Sequence, residues 1–193
     1  MPSPLRRSLP ITGAAVVMTA ALALAESPAG VAPHVRPESN DARALLDELT
    51  ARSPTARALV DELDRSTVVV YVRHRMFTST VLTGRLGLVP SDGETRYVIV
   101  DVACGRPRLD ALITLGHELQ HAVEVGRAPA VVDGASLAEH YRRIGMRTSG
   151  ATEPLMFETQ AAIDMGSIVR RELLGSPMRT THDRDRSDRH KDP

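Results

Sequence analysis

The segment from Asp110 to Val125 constrains this chain more than any other. Leu112, Leu115, Leu119 and Val123 recur at intervals of three and four residues, the period of a helix that packs one face into a core. His117 and His121 are also four apart, and they fall on the side away from the leucines. Residues four apart on a helix are neighbours, so both imidazoles can reach the same point. A ligand helix has this layout: one face anchors it while the histidines stand together elsewhere.

The rest of the chain reads as elements around that helix. Asn40 can cap a helix from Asp41 to about Arg52, with Leu45, Leu46 and Leu49 on one face. Ser53-Pro54 starts a second, with serine as cap, proline in the first turn, and Leu59, Val60 and Leu63 at helical spacing. Thr67 to Arg73, Thr78 to Val89 and Thr95 to Ala103 are rich in β-branched and apolar residues, which predicts strands. Ser91-Asp92-Gly93-Glu94 is a turn signal between the last two. After a loop with Pro129, Ala135 to Ile144 is a short helix. Pro154 opens a long final helix, which Gly175-Ser176-Pro177 stops after Leu174. The expected fold class is α+β: two helices, a small three-stranded antiparallel sheet, then three helices.

The chain ends read differently. Arg6 and Arg7 precede an apolar run from Ile11 to Ala25, and Ala23-Leu24-Ala25 fits a cleavage site before Glu26. This is the layout of a secretory signal peptide, and the run is short of the roughly 20 residues that span a bilayer. The chain is therefore expected to be secreted or periplasmic, with no membrane span after cleavage. Residues 26–40, with Pro28, Gly30, Pro33 and Pro37, read as a flexible leader. The domain is placed at 41–175, and the charged stretch 176–193 is expected to be disordered. Formal net charge is zero over the whole chain, so no basic excess points to nucleic acid. The single cysteine, Cys104, cannot form an internal disulfide and reads as a small buried thiol. An exported domain without disulfides must rely on its core and on any metal it binds.

His117-Glu118-Leu119-Gln120-His121 spells H-E-x-x-H. Two imidazoles on one helix face suit a zinc ion, and Glu118 sits beside that face, placed to take a proton from zinc-activated water. A catalytic zinc needs a third protein ligand. Glu124 and Arg127 stand where the glycine and the third histidine of the HExxHxxGxxH pattern would be, so that arrangement is excluded. Downstream, Glu158, Ala161, Ala162, Met165 and Val169 follow a helical period, which puts Glu158 on an inward face where a carboxylate needs a cation. Glu158 is the expected third ligand; Glu139 is its rival, with Asp133 next.

With those residues the chain resembles the glutamate zincins, the thermolysin-like class of zinc peptidases, over about 60 residues from Asp110 to Leu174. The resemblance implies His117, His121 and Glu158 as ligands, Glu118 as general base, and a peptide or protein substrate. Many members carry an aspartate four residues after the ligand glutamate, where this chain has Ala162. The family also uses a tyrosine or histidine on the oxyanion, for which Tyr141 and His140 are the candidates by chemistry. Competing readings are a zinc-stabilised binding domain and a metallo-amidase acting on a cell-envelope substrate. Oligomeric state is left open.

Overall fold

Serine caps and one-sided leucine patterns build the first layer. The computed structural model describes residues 32–79, 81–91, 95–148 and 156–175. Helix α1 spans Asn40–Arg52, with Ser39, not Asn40, accepting the Ala42 N–H at its start. Helix α2, Pro54–Asp64, follows directly; Ser53 ends α1 and caps α2, and Pro54 takes the first position, where its missing N–H costs nothing. Leu45, Leu49, Leu59 and Leu63 all turn inward and are buried.

The sheet has four described strands in the order β1-β2-β4-β3: β1 Val35–Pro37, β2 Val68–Arg75, β3 Gly84–Val89 and β4 Arg96–Ala103. It is mixed. β1 and β4 both run parallel to β2, and only β3 pairs antiparallel to β4. The three-stranded antiparallel expectation is corrected on both counts. A β-branched run records that a segment is extended but not which way its neighbour runs. Val35–Pro37 is too short to show a period, so the stretch read as flexible leader already contributes an edge strand. The strand expected from Thr78 begins only at Gly84.

One face of the sheet is the core face. Val68, Val70 and Val72 of β2 and Val98, Val100 and Val102 of β4 are fully buried, and they cluster with the α1 and α2 leucines and with Leu112, Leu115 and Leu119. Burying each leucine stabilises the fold by about 1.5–3 kcal/mol. Those last three leucines belong to α3, Arg108–Gly126, so the stripe read from the sequence is what fixes this helix to the sheet. Cys104 follows β4 and is only half-buried, not the buried thiol expected.

Arg96, at the start of β4, closes the far end of α3. It is 5% exposed and donates to the carbonyls of Val125, Gly126, Ala128 and Val131 and to the Thr67 hydroxyl. A cation there also meets the negative end of the helix dipole.

Helix α4, Gly134–Ile144, is capped by Asp133. A two-residue strand β5, Met146–Arg147, pairs antiparallel with β6, Phe157–Glu158, and α5 runs over Gln160–Leu173. The final helix is thus shorter than expected: Thr159 caps it through the Ala162 N–H, and Glu158 lies before the cap. Its buried face is Ala162, Gly166, Val169 and Leu173, while Ala161 is exposed. Gly116 lets α5 approach α3, since a Cβ there would sit 2.8 Å from Val169 Cγ2. Glu172 near the other end of α5 accepts from the Ser53 hydroxyl and, at 2.5 Å, from the Thr55 hydroxyl, tying α5 to the start of α2. Among the described residues no helix is long and apolar enough to cross a membrane. The expected signal peptide and charged tail lie outside the described residues.

Candidate metal centre

α3 presents His117 and His121 opposite its leucine stripe, with Gly166 of α5 beside His117 and Glu158 of β6 facing both rings. Their rings lie edge to face with centroids 4.9 Å apart. Glu158, at the end of β6, brings Oε2 to 2.8 Å from His117 Nε2 and 3.7 Å from His121 Nε2. One ligand atom from each of the three residues lies within 4.8 Å of the others. The residue expected to complete the set therefore reaches it, but from a strand end and not from the helix face that the sequence suggested.

Glu118 lies beside this group. It is 5% exposed and packs under β3, where a Cβ on Gly84 would sit 2.6 Å from its Oε1 and 2.5 Å from Thr114 Cγ2. Only glycine lets the edge strand run this close to the carboxylate. Oε2 of Glu118 is buried without a hydrogen-bond partner, while Oε2 of Glu158, equally buried, faces the two imidazoles. Buried carboxylate oxygens are normally satisfied, so the orphan on Glu118, beside a carboxylate and two imidazoles that converge within 4.8 Å, suits a cation. Two imidazoles and one carboxylate also form a zinc donor set. The residues present fit a divalent metal.

The charges in the centre are shifted together. Burial pushes the Glu118 carboxyl up to about 7, against the pull of His121 and His117. Burial would lower His121, but its contacts with Glu124 and Glu158 outweigh that and raise it to about 9. Burial likewise opposes the ionisation of Glu158, yet His117 and His121 bring it down to about 2. Without a metal the centre is thus an ion-pair cluster in which His121 is held protonated by the carboxylates around it.

Tyr141 and His140 of α4 flank it. The Tyr141 ring stands edge-on to His121 at 5.4 Å and stacks on Phe157 at 6.4 Å. Its buried hydroxyl lies 3.3 Å from the His121 carbonyl, and burial raises its pKa. Tyr141 lines the cleft over the centre with Gly84, Leu86, Glu118, His121 and Phe157; the cavity is about 100 Å³, well below the roughly 300–1,000 Å³ of a drug-sized ligand pocket. His140 faces Tyr141 instead of His117 and His121. Glu139 is exposed and pairs with Arg142 at 2.6 Å, and Asp133 is occupied as the α4 cap. Neither alternative ligand belongs to the group.

Two contributors escaped the sequence reading. Glu124 Oε2 contacts His121 Nδ1 at 2.9 Å, and the Thr159 hydroxyl donates to Glu124 Oε1 at 2.6 Å. Glu124 lies three residues after His121, a spacing at which helical side chains meet, so this pair was readable; Thr159 was not.

No protein-family model matches the chain, and no curated protein or solved structure matches it either.

Proposed function

We propose that this chain is an exported zinc metallohydrolase that cleaves peptide bonds, built in the manner of the glutamate zincins. The observation that carries the reading is the convergence of His117, His121 and Glu158 beside a buried carboxylate, Glu118, that does not join them. A site that only held a structural ion would use its carboxylates as ligands and would need no further base. A zinc ion bound by these three residues would supply Lewis acidity, which brings the pKa of water near 7.

The chain's own residues supply the rest. Glu118 is within reach of the same space and takes the proton from the attacking water on its unpartnered Oε2. It can return that proton to the leaving amine, as general acid–base catalysis requires. Burial under β3 and α3 keeps bulk water from competing for the carboxylate. Gly84 and Leu86 on the edge strand, with Phe157 and Tyr141, line the cleft in which a peptide substrate would meet the centre.

The test is metal analysis of the purified chain together with digestion of a peptide library. Glu118→Gln should keep the metal and lose at least about a hundredfold in turnover. Full activity in Glu118→Gln would remove the mechanism. A metal-bound chain that cleaves no peptide would leave a zinc-stabilised binding domain or an amidase of the cell envelope.

A further inference from the structure

The metal reading leaves one buried carboxylate without a task. Glu124 is 8% exposed, sits one turn beyond His121 on α3, and uses its two oxygens on two different elements. Oε2 faces His121 Nδ1 at 2.9 Å. Oε1 accepts the Thr159 hydroxyl at 2.6 Å, and Thr159 Oγ1 in turn accepts the Ala162 N–H at the start of α5. Thr159 is the residue after Glu158, at the junction of β6 and α5. Both sides of that hydroxyl are therefore in use, and the junction is tied to α3 through one carboxylate.

We propose that Glu124 is a positioning residue that sets two of the three ligands at once. This inference rests on the metal-centre reading. Histidine has two ring nitrogens, and the one facing a carboxylate carries the proton. With Nδ1–H committed to Glu124, Nε2 is the nitrogen left to face the space shared with His117 and Glu158 and to give its lone pair to a metal there. Through Thr159 the same carboxylate fixes the backbone from which Glu158 reaches that space. Groups that orient metal-binding histidines typically contribute tenfold to a hundredfold to metal affinity.

Zinc affinity, measured by competition with a chromophoric chelator, tests this. Glu124→Gln keeps the shape but cannot accept from both His121 and Thr159, so zinc binding should weaken about tenfold to a hundredfold. In the zinc-loaded wild type, heteronuclear NMR should show a slowly exchanging Nδ1–H proton on His121, and Glu124→Gln should lose it. Thr159→Val should weaken zinc while Thr159→Ser keeps the wild-type affinity, because only the second retains the hydroxyl. Wild-type affinity in Glu124→Gln, with the His121 signal unchanged, overturns the proposal. If Glu124→Gln does not fold, equal zinc affinities in the two Thr159 variants overturn it instead. A wild-type chain that binds no zinc defeats the metal-centre reading, whereas zinc binding that ignores Glu124 defeats this inference alone.

Discussion

Two clusters of buried charge lie along α3, and they are finished to different degrees. Around Arg96 every visible demand is met: one cation serves four backbone carbonyls at the end of the helix and a threonine hydroxyl. Around His117 and His121 the demand is left over: one oxygen of Glu118 is buried and unpartnered beside the converging imidazoles and Glu158. The first cluster is closed and holds the fold together. The second is open and can take a ligand. Burial of charge alone does not distinguish structure from function; the count of unsatisfied atoms does.

The largest effect should come from opening the closed cluster. Arg96→Met strands several buried carbonyls, each costing about 1–3 kcal/mol, so the loss should reach about 3–5 kcal/mol in denaturant unfolding. A loss below about 1 kcal/mol would erase the contrast between the clusters.

Closing the open cluster should stabilise. Zinc at a hundred times its Kd adds about 2.7 kcal/mol to the wild type, read as a rise in Tm, and Glu158→Ala should lose most of that gain. The gain should also grow with pH. His121 is raised from 6.5 to about 9 in the metal-free fold, so its contribution is complete below about 6.5 and disappears as pH climbs through about 9. Glu118, raised from 4.5 to about 7, is likewise favoured in its protonated form and loses its contribution as pH rises through about 7. Glu158, lowered to about 2, stays ionised throughout that window. The metal-free Tm should therefore fall between about pH 6.5 and 9 while zinc, no longer competing with the His121 proton, binds more tightly. A metal-free Tm that is flat across this window would contradict the cluster's charge assignment.

Gly84→Ala sharpens the comparison from inside the site. Its Cβ would press on Glu118 and Thr114, and overpacking of this kind costs about 1–3 kcal/mol. Turnover should drop while zinc affinity holds, because the atoms nearest that Cβ belong to Glu118 and Thr114 and not to the three ligands. Unchanged turnover would mean that Glu118 is free to move aside. Glu139→Ala should give the smallest effect, within about 0.5 kcal/mol of wild type and with the same zinc affinity, since Glu139 is exposed and pairs with Arg142. Loss of zinc in that variant would reassign the third ligand.

How legible the site was in the sequence depended on how local each part is. His117, Glu118 and His121 lie within one helical turn and a residue, and helical geometry alone sets their relation. Glu158 was found by a pattern that the structure does not use. The helical period from Ala162 to Val169 is real, but Thr159 interrupts it before Glu158, and the carboxylate arrives on a strand end paired with Met146. A cap residue and a helix-interior residue look alike when the inward period is extrapolated backwards. Glu124 was read only for what it excluded, because its second partner, Thr159, is 35 positions away.

By itself the sequence determined the pieces: the Ser53 cap, the leucine stripe of α3, the extended runs of β2 and β4, and two histidines one helical turn apart. Those follow from the period of a helix, the pleat of a strand and the hydrogen-bonding needs of a helix end, which act over a few residues. Tertiary structure alone decided that β1 and β4 run parallel to β2, that Arg96 closes α3, and that Glu158, Glu124 and Thr159 meet the histidines. Each of these joins residues far apart in the chain, and such contacts depend on how whole elements pack, which no local period encodes.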